Sequence, residues 1–143
     1  MLGIIYSIIA GISMSIQGVF NTRLGERIGQ WETNVWVQGS GLVITLIVLM
    51  FAGNGSFKNL KGSNKLYLLG GALGVIIIYT VMQGIKTLGA THSIGVILIA
   101  QLAAAAFIDM MGLFDSTKVS FHISKIVGLC IMILGIIIFK WKG

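Results

Sequence analysis

The chain has 143 residues, of which 56% are hydrophobic and only 10% charged, with a formal net charge of +6. Soluble domains use roughly 25% charged residues, so a water-exposed globule of this size would lack polar surface, and lipid is the expected solvent for most of the chain. The Lys and Arg residues sit singly or in small groups between apolar runs. That is the placement of helix-end anchors and short loops; it is not the gathered basic face of a nucleic-acid reader, so no nucleic-acid partner is expected.

A bilayer-spanning helix needs about 20 mostly apolar residues. In chain order, five segments satisfy this: 2–22, 32–52, 65–85, 90–113 and 124–141. They lack the alternation of a membrane β-barrel, which predicts an all-α, multi-pass protein of the cell membrane, a single transmembrane domain over 1–143 with the lipid bilayer as its first partner. The first run has no basic leader and no small-residue cleavage site, and it carries Ser13, Gln17 and Asn21; it reads as a retained helix and not a signal peptide.

The connections are short. The first, around 23–31, contains Gly25 and Gly29 as helix-stop residues. The second, GNGSFKNLKGSN (53–64), reads as flexible polar coil. The third, near 86–89, is a tight turn, and the fourth spans 114–122. Trp31, Trp36, Tyr67, Phe114 and Trp141 fall near predicted helix ends, where aromatic rings favour the headgroup region.

Five crossings put the termini on opposite sides. One side then carries Lys58, Lys61, Lys65, Lys118 and Lys125, and the other Arg23, Arg27, Lys86, Lys140 and Lys142. Basic residues in short loops set orientation, and here they balance. Either one side wins narrowly, or copies insert both ways and pair antiparallel, giving a two-chain version of the inverted repeats found in transporters.

Polar side chains within a bilayer turn toward a bundle interior or a water-filled path. Residues four apart share a helix face. Ser13, Gln17 and Asn21 do so in the first helix, Tyr79 and Gln83 in the third, and Gln101 and Asp109 (with Ala105 between) in the fourth. The second has two adjacent stripes, Glu32–Trp36–Ser40 and Asn34–Gln38. These stripes serve as interhelical hydrogen-bonding glue or as the lining of a shared polar cavity. Glu32 begins its helix, where the dipole favours an acid. Asp109 lies about 12 Å past the middle of its helix, with Lys86, Arg23 or a helix N-terminus as possible partners. Gly70 and Gly74 form a GxxxG pair, and Gly128 and Gly135 give the otherwise stripe-free fifth helix a small-residue face suited to dimer contact.

No HExxH, GxSxG, P-loop or Cys/His ligand cluster occurs. His92 and His122 are isolated near helix ends, and Cys130 is the one cysteine, so no intrachain disulfide framework is available. A non-enzyme without cofactor or metal is expected.

The stretches SIQGVFNTRLGERIG (15–29), LLGGALGVI (68–76), LGATHSIGVILIAQLAAAAFIDMMGLF (88–114) and VGLCIMILGIII (127–138) cover nearly the whole chain. Their sequence resembles the YdcZ-like half-size branch of the drug/metabolite transporter superfamily. The more specific parts are the Q-x-x-x-N-x-x-L beginning at Gln17 and the A-Q-L and I-D-x-x-G-L of the fourth segment. The resemblance implies a five-helix half-transporter that pairs, as a homodimer or with a sister chain, to mimic ten-helix members built from inverted repeats. Small multidrug-resistance proteins of that superfamily are antiparallel dimers with a proton-coupling glutamate in mid-first-helix. This chain departs from that pattern: it has Ser13, Gln17 and Asn21 there, and no acid.

The expectation is a small secondary transporter, exporting a small polar metabolite or organic cation by alternating access. Ser13, Gln17, Asn21, Trp36, Tyr79, Gln83 and Gln101 would line the substrate site, Glu32 and Asp109 are the proton-coupling candidates, and Gly128 and Gly135 the dimer contact. A non-transporting partner or regulatory subunit of a neighbouring membrane complex is the alternative.

Overall fold

A computed structural model describes residues 1–120 and 122–141. Phe121 in the fourth connection and Lys142 among the balanced charges lie outside the described residues. The chain forms α1 (Leu2–Ile28), α2 (Gln30–Ala52), α3 (Gly70–Leu88), α4 (Ala90–Met111) and α5 (Ile123–Lys140), with short 3₁₀ helices at Phe57–Gly62, Lys65–Leu69 and Leu113–Asp115. Among the described residues five helices, counting α3 together with its 3₁₀ lead-in, are long and apolar enough to cross a membrane.

The first helix runs to Ile28, well past the boundary expected from the apolar run. Arg23 Nη1 donates to Glu26 Oε2 at 3.1 Å, one turn apart, and this i,i+3 pair supports helix through the charged stretch. Gly25 stays helical, and Gly29 alone ends the helix, with its N–H donating to Gly25 O. At 27 residues α1 is about 40 Å long, against about 30 Å of hydrocarbon, so its charged last turns project into the headgroups. Segment 53–64, expected as coil, instead contains a 3₁₀ helix begun by Ser56, whose Oγ accepts from the Lys58 N–H. The fourth helix stops at Met111 because Gly112 adopts a left-handed conformation (φ 64°, ψ 36°). The Val119 N–H then reaches back to Asp109 O at 2.9 Å, satisfying a carbonyl of its last turn.

The chain divides into two compact units, Met1–Thr87 and Leu88–Gly143. In the first, α1 and α2 are neighbours and α3 packs on both. A Cβ at Gly18 would stand 2.9 Å from Ile85 Cδ1 and 3.1 Å from Val81 Cγ1, so this glycine lets α1 approach α3. Gly25 likewise faces Met82 of α3 and Thr33 of α2. In the second unit α4 packs on α5, with Ile136 filling the space over Gly95.

The composition of the buried set is inverted relative to a water-soluble core. Asn21, Thr22, Thr33, Asn34 and Ser93 are its polar members, and Met82 and Ile85 its hydrophobic ones, among the described residues. Hydrocarbon tails solvate Leu and Ile as well as a protein interior does, so the groups that gain by leaving lipid are the polar ones. Leu42 to Phe51, a continuous run in α2, is exposed throughout.

Candidate functional site

The polar residues of α2 and α3 meet in an antiparallel seam. Gln30 Nε2 donates to Gln83 Oε1 at 3.0 Å, and Gln83 Nε2 donates to the Tyr79 hydroxyl at 3.2 Å. The Tyr79 ring stacks on Trp31, with centroids 4.7 Å apart and planes at 13°. One turn further along α2, Asn34 Nδ2 donates to Val75 O at 2.9 Å. Beyond it the Gln38 amide lies over Gly74, where a Cβ would stand 3.0 Å from Nε2. Gly74 therefore accommodates a side-chain amide, whereas Gly70, its GxxxG partner, faces open space.

Seam depth follows from helix geometry. Gln30 opens α2 beside the charged end of α1, and Gln38 lies eight residues further, about 12 Å at 1.5 Å per residue. The seam's polar side chains thus occupy the first part of α2, and beyond Gln38 only the hydroxyls of Ser40 and Thr45 interrupt an apolar run. Asn21 and Thr22 stand on the inward side of α1, at the same end. Thr22 and Thr33 donate their hydroxyls back to Gly18 O and Gly29 O, each at 2.8 Å. Asn21 is 7% exposed, and no hydrogen bond ties its amide among the described residues.

The expected residues divide into three groups. Tyr79 and Gln83 are in the seam and Asn21 is buried beside it. Trp36 and Glu32 lie on another face of α2, in an open groove of about 700 Å³ with Ile28, Val35, Ser40 and Val43. Ser13, Gln17 and Gln101 are exposed on the single chain. Asp109 is half-buried near the end of α4, and its side chain forms no ion pair among the described residues. Gly128 has open space where a Cβ would be; so does Gly135, which borders an α4–α5 groove of about 750 Å³ with His92, Met132 and Lys140 nearby.

Gln30, Trp31 and Thr33 were not among the expected site residues. Gln30 and Trp31 fell in the expected first connection, and the signal that could have found them is their helical register with Asn34 and Gln38. The Glu32 carboxylate folds back over Gly29, which leaves no room there for a side chain. Among the described residues no three His, Cys, Asp or Glu side chains gather as a metal site.

Spanning-length apolar helices, polar buried residues and an amide-and-hydroxyl seam at one end of α2 and α3 define a polytopic membrane protein. Residues 2–138 match the protein family described as "Putative inner membrane exporter, YdcZ", and the chain belongs to that family. No curated protein and no solved structure matches it.

Proposed function

We propose that the chain is a small secondary transporter, exporting a small polar metabolite or organic cation by alternating access as an antiparallel dimer. The observation that carries this reading is the one-sided seam. From Gln30 to Gln38 it supplies about 12 Å of polar path from one end of the bundle, by helix rise, and an inverted copy would supply the same from the other end. The balanced loop charges permit such an inverted copy. Gln17 and Gln101 fit the same picture: both are polar, exposed on one chain and far from the ends of their helices. Left against lipid they would be costly, and a second protein surface or a water-filled path would cover them. Membership of an exporter family supports the direction of movement.

In this reading the seam and Asn21 contact the solute, and Glu32 or Asp109 carries coupling protons if transport is proton-driven. The test is reconstitution into vesicles holding a pH-sensitive dye, challenged with a panel of small polar metabolites and organic cations. Saturable solute-driven proton flux, lost in Asn34→Leu, is the expected result. Unchanged flux in both Glu32→Gln and Asp109→Asn would remove these two residues from coupling.

A second reading has its own observation. The Gln30–Gln83 and Asn34–Val75 bonds run from helix to helix, as in a non-transporting subunit held together by polar glue. Cysteines placed at Gln17 and Gln101 separate the two readings. Labelling of both by a water-soluble maleimide supports a transport path, while protection of both supports the structural subunit.

A further inference from the structure

We propose that the segment joining α2 to α3 docks on the membrane surface by binding the headgroups of anionic phospholipids. Between Ala52 and Gly70 the chain forms two short 3₁₀ helices, each begun by a side-chain cap. Ser56 Oγ accepts from the Lys58 N–H at 3.3 Å, and Asn64 Oδ1 accepts from the Leu66 N–H at 3.0 Å. A 3₁₀ helix has three residues per turn, so residues i and i+3 stack on one edge. In Phe57–Gly62 this places Phe57 over Leu60 on one edge and Lys58 over Lys61 on the next. Phe57 is 71% exposed and Leu60 47%, with no cover from the rest of the chain. Because Phe57–Gly62 lies between two candidate spans, Gln30–Ala52 and Lys65–Leu88, connectivity holds it at the bilayer surface, where an apolar edge can enter the acyl boundary beside a basic edge.

Charge identifies the occupant. The sequence has no acidic residue between Glu32 and Asp109, so Lys58, Lys61 and Lys65 are the only charged groups of the segment. Within the first unit the acids are Glu26 and Glu32. Glu32 stands at the opposite end of α2 from Ala52, about 30 Å away by helix rise, beyond the reach of screened attraction. Three lysines in a segment that has no acid of its own, beside an apolar edge, match a phosphodiester headgroup attached to an acyl chain. Inorganic phosphate or an acidic protein segment would satisfy the charge but leave Phe57 and Leu60 uncovered. Docking of this segment does not depend on transport.

The test uses the full chain in nanodiscs containing spin-labelled phosphatidylglycerol or phosphatidylcholine, comparing the motionally restricted fraction of each lipid. The expected result is a several-fold preference for phosphatidylglycerol at low salt, weakening as salt rises. Each lysine near the surface contributes up to roughly a fivefold factor, so Lys58→Gln/Lys61→Gln/Lys65→Gln should lose most of the preference while Lys140→Gln keeps it. A triple variant that retains wild-type preference overturns the proposal, as does displacement of the lipid by millimolar inorganic phosphate. A second measurement checks the apolar edge without these substitutions. A dye on Asn59→Cys in a Cys130→Ser background should be quenched by lipids brominated near their carbonyls, and less so after Phe57→Ser/Leu60→Ser. A dye that such lipids leave unquenched in the parent protein places the segment away from the surface and contradicts docking.

Discussion

Gly29 and Gly89 interrupt the helical run in nearly the same backbone conformation, at φ 101°, ψ 153° and φ 79°, ψ 161°. This region of φ/ψ space is essentially reserved for glycine and costs other residues on the order of 1–3 kcal/mol. The two sites differ in their surroundings. A Cβ at Gly89 meets nothing within 4 Å, whereas at Gly29 it would overlap the Glu32 carboxylate. Gly29→Ala should therefore destabilise more than Gly89→Ala, and in a Glu32→Ala background the excess should vanish. Unfolding titrations in mixed micelles check this, and an excess that survives Glu32→Ala would refute the steric cause. Gly29 was legible as a helix stop from its type and position. Gly25, equally legible by type, is not a stop, because the Arg23–Glu26 pair and packing against Met82 keep its turn helical.

At the scale of elements, the α2–α3 seam should behave as a modest, distributed fastening. Interhelical hydrogen bonds in membranes are worth about 0.6 kcal/mol on average, with an upper value near 1.7. A double-mutant cycle on Gln30→Ala and Gln83→Ala should give a coupling in that range. Tyr79 adds a stacked ring to its hydroxyl, so Tyr79→Phe should cost less than Tyr79→Ala. Equal losses would mean that the stacking on Trp31 contributes nothing. The existence of each spanning helix was readable from hydrophobic run length, and the face-sharing of Tyr79 and Gln83 from their spacing. Which α2 stripe faces α3 was not readable. Asn34–Gln38 and Glu32–Trp36–Ser40 are both polar, and periodicity leaves the rotation of a helix about its axis open until close approaches such as Gly74 against Gln38 fix it. Gln30 reads as loop in the sequence because charged Arg27 and neighbouring glycines surround it.

At the scale of the whole molecule, each of the five spans buries little of itself. The most apolar 18-residue stretch of each has between 0% and 11% of its residues buried. That is tolerable for Leu and Ile in lipid and unfavourable for Gln17 and Gln101, so these two positions call for cover beyond their own unit. The odd number of crossings and the balance of basic residues were open to counting. Depth was not: the one-sidedness of the seam emerges only once α2 is seen to start at Gln30, directly after the charged end of α1. Pairing of inverted copies would set two such seams at opposite faces. It also predicts a crosslink between copies through Gln17→Cys or Gln101→Cys in a Cys130→Ser background, measured as a dimer band that the parent lacks.

Orientation tests this pairing most directly. Reporters fused after Gly143, one active only in the cytoplasm and one only outside it, read which way each copy has inserted. Dual insertion gives substantial activity from both, and extra lysines in the 53–64 segment should shift the ratio strongly toward one. A single orientation that added charge does not move would contradict an antiparallel homodimer.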